Sequence, residues 1–251
     1  MKLELGPHTV ETSNDDKRLF PESGITKARL IDYYRKVAEV MLPHLEERCL
    51  TVRRFPDGIG EEGFFQQHRP DHLPDFVGRK SLPTADGKDR IEHIVVDNTA
   101  ALIALVDQAA IEYHGWQSKT NSPRSPDRLV FDLDPSDDDF DTVIDCARQL
   151  KRTLEAVNLV PFVMTTGSRG LHVVAPLADN PGFDAMRRFA RAVAAATAAK
   201  NPSEFTTEHR KKARGNRLYI DTGRNAYGQT AIVPYSLRAI EGAPVATPLD
   251  W

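Results

Sequence analysis

Leu129-Val130-Phe131-Asp132-Leu133-Asp134-Pro135 joins an apolar run to an Asp-x-Asp pair and a proline. Read as a strand, it sends Asp132 and Asp134 to one face, roughly 6.5–7 Å apart along the backbone. Two carboxylates at that spacing can hold a divalent metal pair about 3.5–4 Å apart, the arrangement used for in-line phosphoryl transfer. The pair alone assigns nothing, because Asp-x-Asp also occurs in turns, in calcium loops and in metal-dependent glycosyltransferases.

Downstream of this strand, Ser136 or Asp137–Asp139 can cap a helix to about Val157, with Val143, Ile144, Ala147, Leu150 and Leu154 on its buried stripe. Pro161-Phe162-Val163-Met164 and Leu171-His172-Val173-Val174-Ala175-Pro176 read as a hairpin, with Thr165-Thr166-Gly167-Ser168-Arg169-Gly170 at its tip. An Ala-rich helix is predicted over Phe183 to Lys200, a strand ending in acid over Arg217-Leu218-Tyr219-Ile220-Asp221, and an extended stretch over Ala231 to Arg238. Upstream, residues 1–25 look irregular, and Thr26 can cap a helix to about Arg48 that Pro43 kinks or ends early. Leu50 to Phe55 and Ile91 to Val96 read as strands, with a Pro-rich loop between them to about Lys88. Apolar positions Leu102, Ile103, Val106, Ala110 and Tyr113 recur at helical spacing, which predicts a helix over Thr99 to His114. Hairpins mixed with helices favour α+β with antiparallel or mixed sheets over a doubly wound parallel sheet.

With 251 residues the chain can bury a proper core, and its composition, 40% hydrophobic and 27% charged, is that of a globular protein. No apolar run reaches the length of a membrane span and the N-terminus carries no signal-peptide core, so no membrane partner and a cytoplasmic location are expected. Cys49 and Cys146 lack metal-ligand spacing and read as core thiols. A net charge of −3 argues against nucleic acid as a partner until its distribution is considered. Acid is concentrated at Asp132 to Asp141, whereas His209-Arg210-Lys211-Lys212-Ala213-Arg214-Gly215-Asn216-Arg217 is strongly basic, and local clusters bind phosphates whatever the total.

Three elements now follow in order: Asp132-Leu133-Asp134, then Gly167-Ser168-Arg169-Gly170-Leu171-His172, then Tyr219-Ile220-Asp221. This order resembles the archaeo-eukaryotic primase superfamily, and above all the polymerase domain of bacterial ligase D and its stand-alone relatives. Supporting strings run almost end to end: Gly24-Ile25-Thr26-Lys27, Arg54-Phe55-Pro56-Asp57-Gly58, Gly63-Phe64-Phe65-Gln66, Asp127 through Pro135, and Gly242 through Trp251. The resemblance implies a primase-polymerase-like core of mixed or antiparallel sheets flanked by helices. Residues 1–251 would form one such domain, with 1–90 set apart for DNA ends and 91–251 as the catalytic core.

By the same resemblance, Asp132, Asp134 and Asp221 would be the catalytic acids and ligands of two divalent ions, Mn²⁺ or Mg²⁺. Thr166, Ser168 and Arg169 at the hairpin tip would meet the triphosphate, a task for which N–H groups, hydroxyls and a guanidinium are suited. His172, His114, Arg224 and Arg238 match family residues at the nucleotide or the active-site acids. Phe64 and Phe65 would stack on the template at a break, with Arg53 and Arg54 beside them on DNA, and Lys17 and Lys27 would hold a 5′-phosphate across the gap. Each has a plainer reading: a turn-capping acid, a Gly-rich turn, a helix-terminal histidine, a surface charge, a core Phe pair or a solvated lysine.

The expected activity is template-dependent nucleotidyl transfer that fills short gaps at DNA breaks, in end joining or excision repair. The expected substrates are NTPs or dNTPs, with ribonucleotides and Mn²⁺ preferred, and the expected setting is the nucleoid. Partners would be gapped or broken DNA with a 5′-phosphate, a separate ligase and an end-binding protein such as Ku. Two departures stand out: Gln67 replaces the family's usual Lys, and the family domain usually continues beyond Trp251, so a shorter stand-alone enzyme or an excised fragment is expected. No ligase lysine motif or phosphoesterase module is seen, which assigns sealing elsewhere. The rivals are a metal-dependent nuclease or glycosyltransferase built on Asp132 and Asp134, and a non-catalytic DNA-end-binding module.

Overall fold

Residues 1–178 and 181–251 are described by the structure, a computed structural model. The elements in chain order are β1 Lys2–Leu5, β2 His8–Glu11, β3 Arg18–Phe20, β4 Ile25–Thr26, α1 Lys27–Leu45, β5 Leu50–Arg54, β6 Phe64–Gln66, β7 Gly78–Pro83, β8 Arg90–Val95, α2 Thr99–Asp107 and β9 Ala110–Trp116. There follow β10 Arg128–Asp134, α3 Phe140–Glu155, β11 Phe162–Thr165, β12 Leu171–Pro176, α4 Phe183–Lys200, β13 Phe205–Thr206, α5 Lys211–Arg214, β14 Leu218–Asp221, a 3₁₀ turn Gly223–Asn225, β15 Thr230–Ile232 and β16 Pro248–Leu249. The class is α+β. Two compact units are formed, one from residues 1–116 and 232–246, the other from 117–231 and 247–251. Residue 90 lies inside the first unit, at the start of β8.

In the second unit the sheet order is β13-β14-β10-β12-β11-β16, antiparallel except for the parallel pair β13–β14. Strand β10 runs through its interior, and its period-two alternation explains the site. Leu129, Phe131 and Leu133 belong to a core shared with Val143, Cys146, Ala147, Leu150 and Leu154 of α3 and with Met186, Ala190 and Val193 of α4. The other set, Val130, Asp132 and Asp134, therefore faces away from those helices. Asp139 is the N-cap of α3, accepting from the N–H of Asp141 at 3.1 Å and the hydroxyl of Thr142 at 2.8 Å.

The first unit carries the ladder β9-β5-β8-β7, with β6 also paired to β5. Helices α1 and α2 contribute to its core, which includes Leu30, Ile31, Tyr34, Met41, Leu102, Ile103 and Val106 beside Leu50, Val52, Ile111 and Tyr113 of the sheet. Thr26 caps α1 as expected, and Pro43 lies within the helix, which runs to Leu45. Both cysteines are buried.

Several expectations are corrected. Residues 1–25 hold the β1–β2 hairpin and the β3–β4 pair, and the Pro-rich loop contains β7. The single helix expected over 99–114 is α2 followed by β9, with Ala109 at φ +59° turning the chain between them. Ala100 to Val106 are all buried, so the segment lacks the polar face that separates a helix from a buried strand by periodicity. His114 is consequently a strand residue, not a helix terminus. Beyond Ile232 the stretch to Arg238 is irregular, with a turn at Pro234 and Tyr235, the latter at φ +67°, and a single bridge from Leu237 to Val245. Among the described residues no helix is long and apolar enough to cross a membrane.

Candidate active site

Strand register builds the acidic cluster. Asp132 lies opposite His172 on β12 and opposite Asp221 on β14, while Asp134 lies opposite Tyr219. Directly opposed residues hold their Cβ atoms about 4.5–5.5 Å apart, which brings Asp221 from far along the chain to the Asp132–Asp134 pair. Asp132, Asp134 and Asp221 each offer an oxygen within 4.8 Å of the others. An all-carboxylate donor set suits a hard divalent cation such as Mg²⁺ or Mn²⁺.

The three acids are held differently. One oxygen of Asp132 is 3.3 Å from His172 Nε2, and the other accepts from Nε and Nη2 of Arg224 at 3.3 Å each. Burial works to raise its pKa, but His172 and Arg224 outweigh that and hold Asp132 below the usual carboxylate range. Burial also raises Asp134, and the charges of Asp132 and Asp221 push it further, to about 6. Oδ1 of Asp221 accepts from the N–H of Gly223 at 2.6 Å and from the Tyr219 hydroxyl at 3.2 Å. Asn225 pins the turn that carries Arg224: its amide accepts from the N–H of Val130 at 2.8 Å and donates to the carbonyl of Val130 at 2.6 Å.

At the hairpin tip, Gly167 adopts φ +69°, and a Cβ on Gly170 would run into the carbonyl oxygen of Leu133. Glycine there lets the tip lie against β10. The buried Thr166 hydroxyl donates to the Gly170 carbonyl at 3.1 Å and accepts from the N–H of Ser168 at 3.4 Å, so it braces the turn. Ser168 and Arg169 are exposed. His172 is buried, and its Nδ1 has no hydrogen-bond partner among the described residues.

In the first unit, β5 and β6 align Arg53 with Phe65 and Arg54 with Phe64. Each guanidinium stands 5.3 Å from the centroid of its phenylalanine, and the two rings remain 47% and 63% exposed for Phe64 and Phe65. Arg54 also donates to the Gln108 carbonyl at 2.7 Å and to Gln66 Oε1 at 2.8 Å. Lys17 pairs with Asp57 at 3.0 Å, and the buried Lys27 with Asp107 at 2.8 Å. These four residues and Arg54 help line a cavity of about 280 Å³. His114 and Arg238 both approach Glu112, at 3.1 Å and 3.4 Å.

A family model, the primase-polymerase domain of LigD, matches residues 26–251. The chain belongs to that family. As a LigD primase-polymerase domain it is a nucleotidyltransferase. It is 37% identical over 238 residues to the bifunctional non-homologous end joining protein LigD of Bacillus subtilis, covering 94% of this chain and 38% of that protein. It is 31% identical over 245 residues to the multifunctional non-homologous end joining protein LigD of Mycolicibacterium smegmatis, covering 96% and 32%. Among solved structures, the polymerase domain of Mycobacterium tuberculosis ligase D in complex with DNA superimposes with a TM-score of 0.91 at 32% identity, covering 96% of this chain and 87% of that one. The chain thus spans about a third of the length of the curated relatives it matches.

Sequence reasoning about this LigD primase-polymerase domain passed over Glu112, Tyr219 and Asn225. Tyr219 and Asp221 share a strand face, and so do Glu112 and His114, a signal available once β9 is known to be a strand. Asn225 gave no signal, since its partner Val130 is set by the fold alone.

Proposed function

We propose that the chain is a template-dependent polymerase that fills short gaps at DNA breaks during non-homologous end joining. The observation that carries this reading is the convergence of Asp132, Asp134 and Asp221 by strand register, with Arg224 and His172 locked onto Asp132. The three acids would hold two divalent ions, Mn²⁺ or Mg²⁺. When bound, such ions supply the positive charge that activates a primer 3′-hydroxyl and steadies a triphosphate.

The chain's own groups take the remaining tasks. The tip from Gly167 to Gly170 offers backbone N–H groups and the exposed Arg169 to phosphate oxygens. His172 has a ring nitrogen to spare for the nucleotide, and Arg224 fixes the Asp132 carboxylate. His114 and Arg238 contribute cationic groups for phosphates. Ser168, exposed at the tip, or Thr166 beside it would meet the ribose 2′-hydroxyl, whose recognition gives a preference for ribonucleotides. The exposed Phe64 and Phe65, each backed by an arginine, form a stacking platform for a base at the break. Lys17 and Lys27 would receive a downstream 5′-phosphate in exchange for their pairs with Asp57 and Asp107. A ligase and an end-binding protein such as Ku complete the reaction in the nucleoid.

Extension of a primer on a gapped, 5′-phosphorylated duplex, with ribo- and deoxynucleotides in Mn²⁺ and in Mg²⁺, tests this. The expected result is addition of one to a few nucleotides, abolished in Asp132→Ala and Asp134→Ala. Shortening of the primer would identify a nuclease, and binding without extension an end-binding module.

A further inference from the structure

Glu112 lies on β9 with 1% of its surface exposed, a carboxylate almost removed from water. Four groups close on it from three stretches of chain. Arg53 Nη1 of β5 stands 3.6 Å from Oε1, and Arg238 Nε, in the irregular stretch after β15, 3.4 Å from the same atom. The N–H of Ala239 donates to Oε1 at 3.0 Å, and His114 Nε2 is 3.1 Å from Oε2. Desolvating a carboxylate costs several kcal/mol, so burial this complete is tolerated only with close and well-placed partners. Burial works to raise the pKa of Glu112, but His114, Arg238 and the Ala239 N–H hold it below the usual range, so the group is ionised.

Two of these partners, Arg238 and Arg53, keep donors that Glu112 does not engage. Among the described residues, the Arg238 guanidinium donates no hydrogen bond, and Glu112 is its ion-pair partner. Its side chain is 23% exposed, which leaves donors open to a further anion. Arg53 lies against the rings of Phe55 and Phe65 at 4.8 and 5.3 Å and likewise makes no side-chain hydrogen bond. One buried negative charge thus sets the direction of two guanidiniums without neutralising both, and also contacts the His114 ring. That is how a protein pre-orients cationic groups for an anion it has yet to bind.

We propose that Glu112 is the positioning residue of the nucleotide-phosphate grip, holding Arg238 and His114 in the orientation that receives the incoming triphosphate. This rests on the reading of His114 and Arg238 as phosphate-binding groups. Glu112 is assigned its effect through those two side chains.

The test is steady-state extension of a gapped, 5′-phosphorylated duplex by one nucleotide, ATP opposite thymine in Mn²⁺, with thermal unfolding of every variant. Glu112→Gln is expected to raise the KM for ATP by about tenfold with kcat lowered much less. Arg238→Ala is expected to raise KM as well. Because Glu112 acts through Arg238 and His114, adding Glu112→Gln to the Arg238→Ala, His114→Ala double variant should change KM less than twofold. If Arg238→Ala and His114→Ala leave KM unchanged, the phosphate-binding reading itself fails. If they raise it but Glu112→Gln does not, or if the effects multiply, the positioning role is refuted. A structural role alone would lower the active fraction, and so kcat, at constant KM. Should Glu112→Gln not fold, Glu112→Asp keeps the charge and shortens the reach; it is expected to raise KM, and an unchanged KM there overturns the proposal.

Discussion

Asp134 stands beside two other carboxylates, and burial together with the charges of Asp132 and Asp221 moves its pKa from 3.8 up to about 6. The folded chain therefore carries this charge at a cost. Stability from the group is complete below its ordinary pKa and is lost as pH rises through about 6. Asp132 runs the other way, contributing stability above its ordinary pKa that is lost in acid. Asp134→Asn should accordingly unfold at a higher temperature than the parent chain at pH 7.5 in EDTA. The gain is on the order of 1–2 kcal/mol once screening by solvent is allowed for, or about 2–4 °C per kcal/mol for a chain this long. It should vanish at pH 4. Melting curves at both values decide it, and a variant no more stable at pH 7.5 would show that the carboxylates do not crowd one another. The acids and His172 were readable from the sequence because each belongs to a short string with its own spacing. Glu112 and Asn225 were not, because Arg53 and Arg238 in one case and Val130 in the other are brought to them only by the fold, whereas Tyr219 holds Asp221 on its own strand.

At the level of elements, β10 was readable from its alternation, and so were the hairpin β11–β12 and the helices α3 and α4 that cover its apolar face. The junction of α2 and β9 was not. A run of residues buried on every side has no phase, and the left-handed turn at Ala109 is made by a residue that advertises no turn. The register of β5 with β6 carries a prediction of its own. Because it sets Arg53 against Phe65 and Arg54 against Phe64, the two exposed rings are braced from beneath. Phe65→Ala should weaken binding of a gapped duplex by about 1–3 kcal/mol with little change in melting temperature, as for a stacking platform. Fluorescence anisotropy with labelled DNA checks it. A large loss of stability at unchanged affinity would instead make Phe65 a packing residue.

Over the whole molecule, the family and the α+β class were readable end to end because the matching strings keep their order along the chain. By compactness the backbone returns on itself: residues 232–246 belong to the first unit and 247–251 to the second. A sequence read linearly cannot show such returns, as they depend on long-range packing around Val233 and Leu237 in one core and on the pairing of β16 with β11 in the other. The most direct measurement is calorimetric titration of the chain with Mn²⁺ at pH 7.5, compared with Asp221→Asn. If Asp132, Asp134 and Asp221 form one cation site, the parent chain binds Mn²⁺ saturably and Asp221→Asn loses most of that affinity while remaining folded. Unchanged Mn²⁺ affinity in Asp221→Asn would contradict it.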